Sequence, residues 1–303
     1  MLPTLPIIDP HQHFWDLTRN YLPWLKDAPI ASFRYGDYSE LKRDYLPDDY
    51  RRDALDLNLA GSVFVETEWD RRDPVAETRW VDALSRNCGL PSAMVAHAAL
   101  HQNDAADILA QHAAFPLVRG IRHKPASAPS ADKIEKGAPG SMTDPSWRRG
   151  YAMLSRHRFS FDLQTPWWHL AEAAELNAAF PDTLIILNHT GLPRDRSAAE
   201  LDGWRAAMTN FAAAPNVAVK ISGLGERDHT WSLERNRGVI LDTIKIFGED
   251  RCMFASNYPV DSLVGSMATI YSGFAEATSG MGHEVQAKLF SRNAARIYRL
   301  DTP

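Results

Sequence analysis

The sequence predicts an α/β protein built as a single (β/α)8 barrel over residues 1–303, and three observations carry that reading. Eight short apolar or β-branched runs alternate with longer stretches at helical spacing. The intervals between the ends of those runs each suit one strand–helix unit. No glycine-rich dinucleotide or phosphate loop follows the first run. Continuous apolar strands followed by helices imply a parallel sheet covered on both faces. An open doubly wound sheet is the alternative, but eight units in a chain of this length fit a barrel better.

In chain order, the strand candidates are 6–9, 61–67, 92–99, 117–122, 159–163, 183–187, 216–221 and 251–255. Between them, helical spacing covers 75–87, 105–114, 168–179, 201–213, 233–247 and 262–277, and an extra C-terminal helix covers 284–298. The first interval, 54 residues from His13 to Thr67, is the longest and holds an aromatic-rich insertion at 14–38. The later ones run from 25 to 41 residues. Residues 124–145, dense in Pro, Ala, Ser and Gly, read as a long surface loop of the kind that often carries function.

Composition excludes several classes. With 33 Lys+Arg against 38 Asp+Glu the formal charge is −5, which argues against nucleic acid as a partner. No run approaches the roughly 20 apolar residues that span a bilayer, so no membrane partner is expected. Residues 1–9 lack a basic segment and a long apolar stretch, so no secretory leader is expected there. The two cysteines, Cys88 and Cys252, do not make a metal-type pair and read as reduced thiols of a cytoplasmic protein. Nine tryptophans suggest a lined pocket for a small molecule. Oligomeric state is not legible.

In a barrel, chemistry gathers where strands end. His11 and His13 follow the first strand at i and i+2, so they project together within reach of one ion or substrate group. The second strand ends in Glu66, Glu68 and Trp69, the third carries His97, and the fourth ends in a cationic run of Arg119, Arg122, His123 and Lys124. Such a run suits a carboxylate or hydroxyls. The fifth offers Asp162 and Gln164, the sixth His189, the seventh Lys220 and Ser222, and the eighth Asn257 and Asp261. Each has a plainer reading: His-x-His pairs lie idle on many surfaces, and cationic runs are often solvated loop starts. Their shared place at strand ends favours a site.

Four motifs together resemble the amidohydrolase superfamily: Asp-x-His-x-His-Phe-Trp-Asp at 9–16, Gly-Ile-Arg-His at 120–123, Leu-Asn-His-Thr-Gly-x-Pro at 187–193, and Phe-x-Ser-Asn-x-Pro-Val-Asp at 254–261. The nearest likeness is to its lactonase branch, which includes fucono- and rhamnonolactonases, sulfomuconolactone hydrolase and pyrone-dicarboxylate lactonase. The resemblance implies a barrel that hydrolyses an ester, amide or lactone. In metal-dependent members, paired His after the first strand, His after the fifth and sixth, and an Asp after the eighth hold one or two divalent ions. His11, His13 and His189 match the first pair and the sixth-strand His. This sequence departs from the pattern at the fifth strand, with Asp162 and Gln164, and at the eighth, with Asn257 in place of Asp. These losses argue against a tight binuclear centre. A single Zn²⁺ on His11, His13 and His189 is compatible with the rest, and no organic cofactor is expected.

The resulting expectation is hydrolysis of a lactone of a small polar or anionic substrate, such as a sugar or dicarboxylic lactone. His189 is the candidate general base, with Asp261 second and Asn257 orienting water. His11 and His13 would stabilise the oxyanion. Glu66, Arg119, Arg122, His123, Lys124 and Gln164 would bind substrate. Trp69 and Trp167, with Trp15, Trp24 and Trp168, would line the pocket. The alternatives are a metal-dependent non-oxidative decarboxylase, which Asn257 disfavours, and a barrel that binds a ligand without turning it over.

Overall fold

Every strand candidate forms a strand, and all eight join one sheet. The computed structural model describes residues 4–30 and 33–300. Its strands are β1 (Ile7–Gln12), β2 (Leu59–Val65), β3 (Ala93–His97), β4 (Val118–Arg122), β5 (Ser160–Leu163), β6 (Ile185–Leu187), β7 (Val217–Ile221) and β8 (Cys252–Phe254). They lie in sequence order, each parallel to the next. The ends of the sheet meet at the C-terminal mouth, where His13 N–H donates to Tyr258 O and Asn257 N–H to His11 O, both at 2.8 Å. The sheet is thereby a nearly closed barrel, as the alternation predicts.

The helices are α1 (Pro23–Lys26), α2 (Pro47–Asp53), α3 (Pro74–Cys88), α4 (Ala105–Ala113), α5 (Pro145–Tyr151), α6 (Leu170–Ala179), α7 (Ala198–Ala212), α8 (Leu233–Phe247), α9 (Met267–Ala277), α10 (His283–Ala287) and α11 (Asn293–Tyr298). Local chemistry marks their ends. Asp73 caps α3 by accepting from Ala76 N–H, Pro74 opens it, and Gly89 ends it at φ 75°. None among the described residues is long and apolar enough to cross a membrane.

Four boundaries differ from the sequence reading. β1 continues past residue 9 and carries His11 within the strand. The segment 262–277 starts as a 3₁₀ turn, Val260–Leu263, before α9 begins at Met267. The stretch read as loop at 124–145 gives way to α5, an unpredicted helix. It packs so close to the chain at Leu100 that a Cβ on Gly150 would lie 2.0 Å from Leu100 O. The final helix is three pieces, with a π turn at Lys288–Arg292 between α10 and α11.

Inside the barrel, Ile8, Val63, Val65, Ala93, Val95, Ile186, Ala218 and Met253 pack together and against Ala294, Ile297 and Tyr298 of α11. At the mouth, the insertion folds on its own aromatic residues. Trp24 stacks on Phe33 at 6.2 Å, and Phe33 meets Tyr38 at 4.5 Å. Trp24 Nε1 donates to Thr67 O at 2.8 Å, which ties the insertion to the end of β2. Ala31 and Ser32 of the insertion lie outside the described residues.

Candidate functional site

Side-chain parity decides which strand-end residues reach the cavity at the mouth, because neighbours along a strand face opposite sides. The cavity encloses about 840 Å³, open to solvent, and His13, Glu66, Glu68, Arg122, Lys124, Gln164, His189 and Asn257 line it. The insertion adds Trp15, Trp24, Phe33 and Arg34, and the loop after β6 adds Arg194.

Two imidazoles, His13 and His189, line the floor, and a third, His11, is fully buried against them. The His11 ring lies 5.1 Å from that of His13 and 4.6 Å from that of His189. His13 Nδ1–H donates to Val65 O at 2.7 Å, which leaves Nε2 with its lone pair. His189 Nδ1 pairs with Ser222 Oγ at 2.9 Å. Both ring nitrogens of His11 are buried without a partner. Burial, reinforced by the Arg122 charge, pulls His13 down to about 3. Burial also pulls His11 and His189 well below the ordinary imidazole range, with Lys220 the next cause for His11 and Arg34 for His189. All three are neutral near pH 7. His189 is therefore available as an unprotonated acceptor near pH 7, but a weaker base than an ordinary imidazole.

The walls carry paired charge. Arg122 Nε donates to Glu66 Oε1 at 2.7 Å and Nη1 to Gln164 Oε1 at 3.3 Å. Burial raises Glu66, but Arg122 and Arg71 outweigh it and hold the carboxyl below the usual range. Arginine only donates, so it fixes Gln164 with its oxygen toward Arg122 and its NH₂ free for another acceptor. Opposite logic fixes Asn257. Its Nδ2 donates to Asp261 Oδ1 at 2.6 Å, which leaves its carbonyl oxygen available at the cavity.

Several expected residues lie elsewhere. Asp261 is buried behind Asn257, and its Oδ1 also accepts from Tyr35 Oη at 2.9 Å; it does not line the cavity. Arg119 and His123 differ in parity from Arg122. Arg119 faces away, half-buried, and His123 Nδ1 accepts from Leu100 N–H and Trp147 Nε1–H at 3.2 and 3.0 Å. Trp69 packs on Trp80 of α3, 5.9 Å between rings. Trp167 packs against Gly191 and against Gly203 of α7. His97 Nδ1–H donates to Arg122 O at 3.1 Å and supports the β4 end from behind. Arg34 and Arg194 were missed, since both sit in loops whose course no periodicity sets.

The donor set suits a metal in chemistry: neutral imidazoles, one with its tautomer fixed by a backbone carbonyl, and one with orphaned nitrogens. Among the described residues, however, no three His, Cys, Asp or Glu side chains stand as a ready cage. The three rings are neighbours without being preassembled.

The chain is similar to several known proteins. An uncharacterized protein, y4mH, of Sinorhizobium fredii is 39% identical over 296 residues, covering 98% of this chain and 99% of that one. An L-fucono-1,5-lactonase of Burkholderia multivorans is 29% identical over 309 residues, covering 98% and 97%. A crystal structure of an amidohydrolase from Burkholderia multivorans with bound zinc superposes with a TM-score of 0.80 at 26% identity, covering 97% and 99%. Residues 8–300 match the amidohydrolase family model, so the chain belongs to the amidohydrolase family.

Proposed function

We infer that the protein hydrolyses a lactone of a small polar or anionic substrate. The carrying observation is the cavity floor of neutral imidazoles beneath two amides held in opposite senses, Gln164 as donor and Asn257 as acceptor. A strand-end cavity in a barrel of this family, with relatives named as lactonases at 26% and 29% identity, supports the same reading.

Ester hydrolysis needs an acceptor for the attacking water's proton and donors for the developing oxyanion. His189 holds an unprotonated imidazole near pH 7 and takes that proton. Asn257 accepts a hydrogen bond from the water and orients it, with Asp261 as a positioning residue behind it. Gln164 NH₂ donates to the carbonyl oxygen as charge develops there. Arg122 has its donors committed to Glu66 and Gln164, so it positions Gln164 more than it binds substrate. A lactone is an activated acyl group, and this modest set is enough for it. In place of that base role, His189 would with His11 and His13 hold a Zn²⁺, which would supply Lewis-acid polarisation of the carbonyl.

Proton release from a panel of sugar and dicarboxylic lactones, with and without chelator, tests the reading. His189→Asn is expected to cut kcat by about 100-fold or more with the fold intact by circular dichroism. An unchanged kcat removes the role given to His189. A panel from which no lactone yields a proton overturns the function.

A further inference from the structure

Charge around the cavity is unevenly matched. Arg122 is held by Glu66 and Lys124 by Glu68. Two other guanidinium groups line the same cavity with far less. The Arg34 side chain is only 14% exposed, and it reaches Asp261 Oδ1 at 3.5 Å. That oxygen already accepts from Asn257 Nδ2 at 2.6 Å and Tyr35 Oη at 2.9 Å, so Arg34 is the third group to draw on it. Arg34 Nη1 also donates to Gly223 O at 3.4 Å, and the guanidinium lies 4.5 Å from the Tyr35 ring centre, neither of which supplies a second anion. Arg194 meets no carboxylate among the described residues. Burial and the neighbouring Arg34 both work against its charge.

Arg34 shares its one carboxylate with two other donors, and Arg194 has none among the described residues, so the pair is under-neutralised in a partly desolvated site, which costs free energy. A bound carboxylate offsets that cost, and its planar pair of oxygens matches a guanidinium fork. A neutral polyhydroxy lactone would leave Arg194 without a counter-charge and Arg34 with only its share of Asp261. Position narrows the ligand further. A Cβ at Gly223 would meet both His189 Nδ1 at 2.6 Å and Arg34 Nη1 at 2.9 Å, so Arg34 stands beside His189.

We propose that Arg34 and Arg194 form a carboxylate subsite, and that the lactone taken by this cavity bears a carboxylate on or next to its ring. The proposal rests on the lactone-hydrolase reading and narrows it to acidic lactones. Water adds across the acyl–oxygen bond, so the product is a hydroxy-dicarboxylate and one proton is released.

The experiment compares the γ-lactone of hydroxyglutarate, which carries a ring carboxylate, with its methyl ester. Both are assayed with wild-type protein, Arg34→Gln and Arg194→Gln, and hydroxyglutarate binding is measured by calorimetry on the same proteins. Wild type is expected to favour the acid at least tenfold in kcat/KM. Each variant should lose about 10- to 100-fold on the acid, chiefly through KM, and at least tenfold less on the ester. Arg34→Lys, which keeps the charge without the fork, should recover part of the loss. Equal losses on acid and ester, or no preference in wild type, overturn the subsite and leave the lactonase reading standing. No proton from these two lactones or from any other of the panel, with hydroxyglutarate binding still dependent on both arginines, supports the subsite and overturns the lactonase reading.

Discussion

Asn257 occupies the position at which the family resemblance predicts an acid, and its neighbour explains how an amide serves there. Asp261 Oδ1 lies 2.6 Å from Asn257 Nδ2 and is buried. Burial pushes the Asp261 carboxyl up despite Arg34 and the donors from Asn257 and Tyr35. A second carboxylate at this distance would have no donor to offer, and the pair could not both ionise. Asn257→Asp is therefore expected to cost about 2 kcal/mol at pH 7, read from urea denaturation midpoints. Asn257→Asp with Asp261→Asn restores one donor and one acceptor, and should recover most of that loss. If the double variant is no more stable than the single one, the amide–carboxylate pairing is not what selects Asn at this position.

At the scale of elements, Glu77 shows how a helix holds a site loop. From α3 its Oε1 accepts from Thr67 N–H at 2.8 Å and Thr67 Oγ1–H at 2.6 Å, and Thr67 O in turn holds Trp24 of the insertion. Glu77 Oε2 is buried without a partner. Burial, with the Glu66 charge, pushes Glu77 up to about 7 from 4.5. Between those values the unfolded chain ionises while the folded protein keeps its proton. Stability from this group is thus full below about pH 4.5, falls as pH rises, and levels off above about 7. Against Glu77→Gln, wild type should lose about 3 kcal/mol between pH 4.5 and 7.5 in chemical denaturation. Parallel pH profiles would show that Glu77 stays ionised throughout. The strands were legible because fully buried runs are continuous, and Arg122, Lys124, Glu66 and Gln164 because parity puts them on the cavity side. The same parity, applied strictly, would have set aside Arg119 and His123. Arg34 was not legible, since its place depends on how Trp24, Phe33 and Tyr38 fold the insertion back over the mouth. Nor was α5, whose pattern is too short for periodicity to mark.

At the scale of the whole molecule, a fully buried ion pair joins two strands inside the barrel. Lys220 of β7 and Asp162 of β5 meet at 2.5 Å with no solvent exposure on either side chain. Tyr298 of α11 donates toward both Asp162 oxygens at 3.1 Å, and Lys220 lies 5.1 Å from the Tyr298 ring centre. The pair therefore links the C-terminal helix, the apolar interior and the floor of the cavity. Desolvating two charges is expensive, so such a pair is weak evidence for stability, whereas removing one partner leaves a bare charge inside the barrel. Lys220→Met is expected to cost about 3 to 5 kcal/mol by denaturant unfolding, and Lys220→Met with Asp162→Leu to restore most of it. The double variant also separates structure from function. After burial, Lys220 is the foremost charge holding His11 below the ordinary imidazole range. A double variant with near wild-type stability and a lowered kcat would mean that the pair is kept for the electrostatics of the cavity floor. Full stability with unchanged kcat would mean that neither the docking of α11 nor the cavity floor needs the pair.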